Sequence, residues 1–448
     1  MNGFFARMVF VAFLIVAAPF SASAQDATVV SAPPRIQSEA DAFAQDAAAY
    51  ARQNGVAQDE ALRRLRAQED SVAATDGIAR EFAGRLAGIS IEHFPNYRIA
   101  VLLTGDAPVA PRTVRAGGMD VPIVFRTGAG ATRAGLVDAI VRHRAAIHDA
   151  VPNAQGMGVD LRTGELVVLV QTAFDRDEQS EIEFQLSALT GVPVRIRAQD
   201  GVDVDSAATQ DGVDGFAVDA VEVPGGAVPG RAVDASAVDG GERVVGVDPR
   251  DGRRYVCTTG FSVTNDVRTG VVTAAHCPDA LTAYDANGNG TPLAFVGQWG
   301  VAFQDVQVHV GGVNRPLFHA DASTSAARTL TAARSRQSTR AGDAVCHRGQ
   351  ATGYTCSEID LVDYAPPGDL CAGLCDPVWT TVAGPSCRGG DSGGPIFNGT
   401  VAFGITKGGS YARSGRCGFY YYMSTDYLPD GWHLLFDRPP RAPDVEAR

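Results

Sequence analysis

Arg388-Gly-Gly-Asp-Ser-Gly-Gly-Pro395 is the stretch that most constrains this 448-residue chain. A serine hydroxyl is a poor nucleophile, so one that attacks a carbonyl needs a base beside it and donors where the oxyanion develops. Glycines on both sides let the backbone turn until two N–H groups converge. Ser392 is therefore a candidate nucleophile, and the N–H groups of Gly390 and Ser392 a candidate oxyanion hole. Upstream, Val271-Val-Thr-Ala-Ala-His-Cys277 reads as an apolar strand that delivers His276 at its end, beside a cysteine able to tie the loop down. The histidine precedes the serine, in the His…Asp…Ser order of one known triad arrangement. The third member should be a carboxylate between them. Asp305 opens the alternating run Val301-Ala-Phe-Gln-Asp-Val-Gln-Val-His-Val310 and is the choice; Asp279, Asp285, Asp321 and Asp343 stand as alternatives, mostly in turn-like contexts.

Around these motifs the chain from 242 to 436 carries short β-type runs and Gly-rich turns, with little helical periodicity, which predicts an all-β domain. All eight cysteines lie after Tyr255. Met1–Ala24 has the basic, apolar and small-residue regions of an export signal, so the cysteines are expected to pair in an oxidising compartment. No Cys-x-x-Cys is present, and no metal or other cofactor is expected. A net charge of −13 argues against an extended nucleic-acid surface, and no later apolar run is long enough to span a membrane.

Residues 25–200 contain no cysteine and read as an independent α/β domain. Helical periodicity covers 38–86, Thr132–Val151 and Asp177–Leu189. Strands are expected at Tyr97–Leu103, Val121–Phe125 and Val192–Ile196, with a hairpin of Met157–Leu161 and Leu166–Gln171. The segment 201–241 is acidic, rich in Gly and Pro, and too poor in large apolar groups to fold, so it is expected to be a linker. Residues 437–448 read as a tail. Asp285-Ala-Asn-Gly-Asn-Gly290 has a calcium-loop flavour, but Val296 stands where a bidentate Glu would be needed, and a hairpin turn is the better reading. Asn289 and Asn398 match the glycosylation sequon, a pattern that chance often produces.

The His276 and Ser392 motifs resemble those of chymotrypsin-like serine peptidases. Cys257-Thr-Thr-Gly-Phe-Ser-Val-Thr264, Val345-Cys-His-Arg-Gly-Gln-Ala-Thr-Gly-Tyr-Thr-Cys356 and Thr406-Lys-Gly-Gly409 are similar to the bacterial alpha-lytic endopeptidase and streptogrisin branch. This resemblance, over roughly 242–430, implies two six-stranded β-barrels with the triad between them, preceded by an α/β pro-domain that assists folding and inhibits the enzyme. It further implies a secreted, self-processing, monomeric serine endopeptidase acting on proteins or peptides. The final cut is expected near Gly241–Arg243, because Val244-Val-Gly246 is similar to the start of mature enzymes. The implied disulfides are Cys257–Cys277, Cys346–Cys356 and Cys387–Cys417, which leaves Cys371 and Cys375 for a local bridge.

The implied substrate pocket comprises Ser386, Cys387, Arg388, Thr406, Lys407, Gly408 and Gly409, with the Cys417–Tyr422 segment. Because Ser386 is not an acid, a buried substrate Arg or Lys would lack a counter-charge. Three positions depart from the branch. Lys407 stands where a small serine is usual and either pairs with Asp305 or points to solvent, the latter being expected. Cys387 lies one residue closer to Ser392. His347, followed by Arg348, replaces the arginine that pairs with the aspartate before the nucleophile. Two rivals remain: an inactive homologue that only binds proteins, and a periplasmic quality-control protease of the same fold.

Overall fold

The computed structural model describes residues 35–198, 221–222, 237–249, 251–285, 288–321, 326–368, 370–384, 386–411 and 416–437. The expected signal segment, most of the expected linker and all but Asp437 of the expected tail lie outside the described residues. Among the described residues, no helix is long and apolar enough to cross a membrane.

The helical stretch from 38 divides into α1 (Glu39–Asn54), α2 (Gln58–Asp70) and α3 (Val72–Glu81). The Ser38 side chain caps α1 by accepting from the Asp41 N–H, and Gly55 ends the helix in the left-handed region at φ 64°. The expected helix at 132 is α4 (Arg133–Ala150), capped by the Thr132 hydroxyl on Gly135 N–H. The next is α5 (Arg176–Thr190), capped by Asp175 and closed by Gly191 at φ 70°. The helical reading of 38–86 ran too far, because Leu86–Glu92 is a strand antiparallel to Arg98–Thr104.

Among the described residues, the strands of the N-terminal part after α3 lie in two sheets, and Arg35–Gln37 pairs with Ala326–Thr329 in a third. Leu86–Glu92, Arg98–Thr104, Met119–Ala129 and Arg112–Ala116 form the first, in that order. The second consists of Ala154–Asp160, Glu165–Val170 and Val194–Ala198, joined by Val362–Ala365 from the C-terminal part against Ala154–Asp160. The N-terminal and C-terminal parts are therefore packed together in the intact chain. Val159, Val168 and Ile196 share one apolar core with Val345, Ile359, Ile396 and Phe403. A bidentate ion pair of Arg328 and Asp46, both fully buried, also crosses between the two parts.

Among the described residues from Arg243 onward, the chain is strand and turn apart from two single 3₁₀ turns. One five-stranded sheet centres on Arg243–Val247 and Arg254–Thr258, and another on Thr269–Thr273 and Val306–Val310. A larger sheet runs Gly353–Glu358, Ala344–Gly349, Pro395–Asn398, Val401–Tyr411, Cys417–Ser424, Thr380–Ala383. The expected linker is corrected at its C-terminal end. Val238 and Asp239 are buried, the Gly240 N–H donates to Leu317 O at 3.0 Å, and Arg315 pairs with the Asp239 carboxylate.

Candidate active site

His276 is positioned by strand pairing. Thr269–Thr273 lies antiparallel to Val306–Val310, with Thr273 opposite Gln307, so the residues just after the first strand meet those just before the second. Asp305 is thereby placed under His276: its Oδ2 is 2.8 Å from Nδ1, and its Oδ1 accepts from the His276 main-chain N–H at 3.2 Å. A carboxylate only accepts, so the imidazole proton sits on Nδ1 and the Nε2 lone pair faces the other way. Among the described residues, no other carboxylate hydrogen-bonds to His276; Asp343 pairs with Arg334 and Arg340, and Asp285 holds Asn289.

Asp305 is 2% exposed. Burial by itself would raise its pKa, but the charges of His276 and Lys407, with their hydrogen bonds, outweigh it and hold the carboxyl at about 2. The carboxylate is thus ionised throughout the neutral range.

Ser392 sits on a turn clamped by the strand Arg254–Thr258. The Thr258 N–H donates to Ser392 O at 2.9 Å, and the Thr258 hydroxyl to Gly390 O at 2.8 Å. Gly390 and Gly393 have φ of 101° and 83°. A Cβ on Gly393 would stand 2.1 Å from Thr273 Oγ1 and 2.5 Å from Thr258 O, so only glycine fits. The N–H groups of Gly390 and Ser392 meet no acceptor among the described residues. The Ser392 hydroxyl turns to Lys407 O at 3.4 Å, and the buried His276 Nε2 has no hydrogen-bond partner. Of the three expected residues, His276 and Asp305 are in contact, and no hydrogen bond joins His276 to Ser392. Catalytic hydrogen bonds are often long before substrate binds.

Neither His347 nor Arg348 hydrogen-bonds to Asp391. Its carboxylate accepts from the N–H groups of Ala351, Thr352 and Arg388 at 3.0, 3.0 and 2.9 Å, and from the Thr352 hydroxyl at 2.8 Å. His347 instead bridges the hydroxyls of Thr352 and Thr355, and burial pushes its pKa down to about 4. The branch's charge pairing is replaced by main-chain donors, a substitution that the sequence motif does not reveal.

Lys407 corrects an expectation. It is not solvated: its side chain is 6% exposed and Nζ lies 3.4 Å from Asp305 Oδ2. Its ammonium therefore does not line the expected pocket, although its carbonyl faces Ser392. Gly408 packs near the Tyr421 hydroxyl, and a Cβ on Gly409 would be 2.5 Å from Cys387 Sγ. In this corner Cys387 bonds to Cys417, and the other disulfides are Cys257–Cys277, Cys346–Cys356 and Cys371–Cys375. Pro385, next to Ser386 in this wall, lies outside the described residues.

A second titratable cluster, Asp239, Glu242 and His319, lies apart from these residues, with Arg315 on the Asp239 carboxylate. The arginine already supplies the positive charge that a cation would bring. At Asp285–Gly290, where residues 286 and 287 lie outside the described set, the Asn289 amide groups bind Asp285 and the chain turns back as a hairpin.

No family model matches the chain. Over 159 residues it is 29% identical to Streptogrisin-C of Streptomyces griseus, a match covering 34% of this chain and 32% of that protein. The chain thus matches only about a third of the length of this curated relative. Among solved structures, Thermobifida fusca Protease A is 23% identical with a TM-score of 0.35, over 45% of this chain and 100% of that one. Nocardiopsis protease is 22% identical with a TM-score of 0.35, again over 45% and 100%. The alpha-lytic protease homolog N4 is 21% identical with a TM-score of 0.32, over 42% and 94%.

Proposed function

We propose that this chain is a secreted serine endopeptidase made as a self-processing precursor. Ser392 attacks the scissile carbonyl, and His276 takes its proton and returns it to the leaving amine. Asp305 fixes the imidazole tautomer and stabilises the imidazolium, while the N–H groups of Gly390 and Ser392 receive the oxyanion. An acyl-enzyme forms, and water attacks it by the same route in reverse. The 2.8 Å contact of His276 Nδ1 with a buried, ionised Asp305 carries this reading, because it leaves Nε2 to act as the base.

On this reading residues 25–200 are the pro-segment. The core shared by Val159 and Val168 with Val345 and Ile396 supports a folding role, because the catalytic part cannot bury those faces alone. Ser392 is 1% exposed in the whole chain, which fits a precursor held inactive. In this proposal the final cut falls before Ala237 instead of near Gly241–Arg243, a choice supported by the burial of 238–241 in the intact chain. Two measurements test the reading: covalent labelling of Ser392 by a fluorophosphonate, and cleavage of a peptide library by exported protein. Labelling at Ser392 with cleavage, and loss of both in Ser392→Ala, is the expected result; exported, folded protein that does neither overturns it.

A further inference from the structure

Of the 38 lysine and arginine side chains of this protein, every one is an arginine except one. Lys407 is the sole lysine, and it lies buried at the carboxylate of the proposed triad. Its ammonium has three distinct partners. Nζ is 3.4 Å from Asp305 Oδ2, donates to Leu370 O at 3.2 Å, and stands 5.0 Å from the centre of the Trp379 ring. Leu370 and Trp379 flank the small loop closed by the Cys371–Cys375 disulfide. That loop is tied to the chain just before Asp305, since Ala302 N–H donates to Cys371 O at 3.1 Å and Asp376 N–H to Ala302 O at 3.0 Å. The lysine and the extra disulfide loop thus form one assembly.

The chemistry of this pocket explains the departure from arginine. An ammonium is a compact point charge with three donors, whereas a guanidinium is a broad planar fork. The space between a carboxylate, a carbonyl and an indole face suits the former. Besides Asp305 and His276, the titratable groups at this corner are Tyr421, whose ring meets Trp379 edge-on at 6.2 Å, and Asp376, which is turned to Arg144. Asp305 Oδ2 therefore faces two partners, His276 Nδ1 and the Lys407 ammonium.

We propose that Lys407 is a positioning residue: its ammonium clamps the Asp305 carboxylate against His276 and, by sharing that negative charge, keeps the imidazole neutral to lower pH. The proposal rests on the peptidase reading for its consequence, while the clamp itself is a statement about Asp305 and Lys407. Acid-shifted activity follows from charge alone. A cation beside Asp305 makes the imidazolium less favourable, so the base persists further into acid.

The test compares the pH profile of kcat/KM in wild type and Lys407→Met. The acidic limb of the variant should lie about one pH unit higher, since a nearby charge acting through the interior shifts titration by that order. A lower rate with an unmoved acidic limb overturns the proposal, because a merely structural loss has no reason to move it. A variant that fails to fold leaves the second measurement to decide. Because there is one lysine, 15N-lysine labelling of full-length Ser392→Ala gives a single Nζ signal. It should exchange slowly, move when His276 is titrated, and change in the Asp305→Asn background. A fast-exchanging Nζ signal indifferent to both overturns the clamp, whatever becomes of the peptidase reading. Failure of wild type to label or cleave, with the Nζ signal behaving as expected, overturns that reading and the acid-shifted activity, but not the clamp.

Discussion

Asp391 is held by both ends of Thr352: the main-chain N–H reaches Oδ1 at 3.0 Å and the hydroxyl reaches Oδ2 at 2.8 Å. This pairing anchors the turn whose next residue is Ser392, and it tolerates no side chain beneath it. A Cβ on Gly349 would lie 1.9 Å from Asp391 Oδ1. Gly349→Ala should therefore displace Asp391, tilt the Gly390–Ser392 turn and lower kcat more than tenfold, since oxyanion donors act only in register, each worth ~2.7–4 kcal/mol. Steady-state kinetics on folded variant checks this, and wild-type kcat would refute it.

Removing Ser392 or His276 by alanine should each lower turnover by several orders of magnitude, on the order of 10⁶-fold in a comparable triad. The double variant should be hardly worse than either single one, because the two residues act as a unit. Additive losses in a single-turnover assay would contradict their proposed partnership.

Arg328 and Asp46 are both buried, and the same carboxylate also accepts from Gly399 N–H at 2.6 Å and from the Tyr354 hydroxyl at 2.7 Å. Arg328→Met should destabilise the chain by about 3–5 kcal/mol, because it strands a charge in the interior. Arg328→Met with Asp46→Asn should recover part of that loss. Denaturant unfolding measures both, and a single variant as stable as wild type would remove the pair as a determinant of how the two parts join.

Burial, and then the neighbouring Asp239 charge, push the Glu242 carboxyl up to about 8. A carboxyl that ionises less readily in the folded state gives stability that is complete below its unfolded pKa of about 4.5 and fades as pH rises through about 8. The melting temperature of wild type should fall across that window, and Glu242→Gln should remove most of the slope. Equal slopes in a thermal scan series would contradict the assignment.

Active enzyme should begin upstream of Val238, since Asp239 is buried against Arg315 and a cut after Gly241 would sever a buried segment from the catalytic part. N-terminal sequencing decides this. A mature chain starting at Arg243 or Val244 would refute it.

Much of this was legible in the residues. Ser38, Thr132 and Asp175 mark helix starts because a side-chain oxygen reaches an N–H only three residues on. His276 and Ser392 announce themselves through local glycine and cysteine patterns. Asp305 is singled out by the alternating run that follows it, and its Oδ2 lies 2.8 Å from His276 Nδ1. Interactions between distant segments were not legible. Nothing local in Val362–Ala365 tells that it completes a sheet of the N-terminal part, and nothing near Asp391 tells that main-chain donors replace an arginine. Lys407 was read as solvated because an isolated lysine usually is. Only the fold brings Asp305, Leu370 and Trp379 around it, and a buried ammonium is tolerable only where such partners converge. Short-range chemistry is written in the order of residues, whereas the environment of a charge is decided by which remote segments the packed core brings beside it.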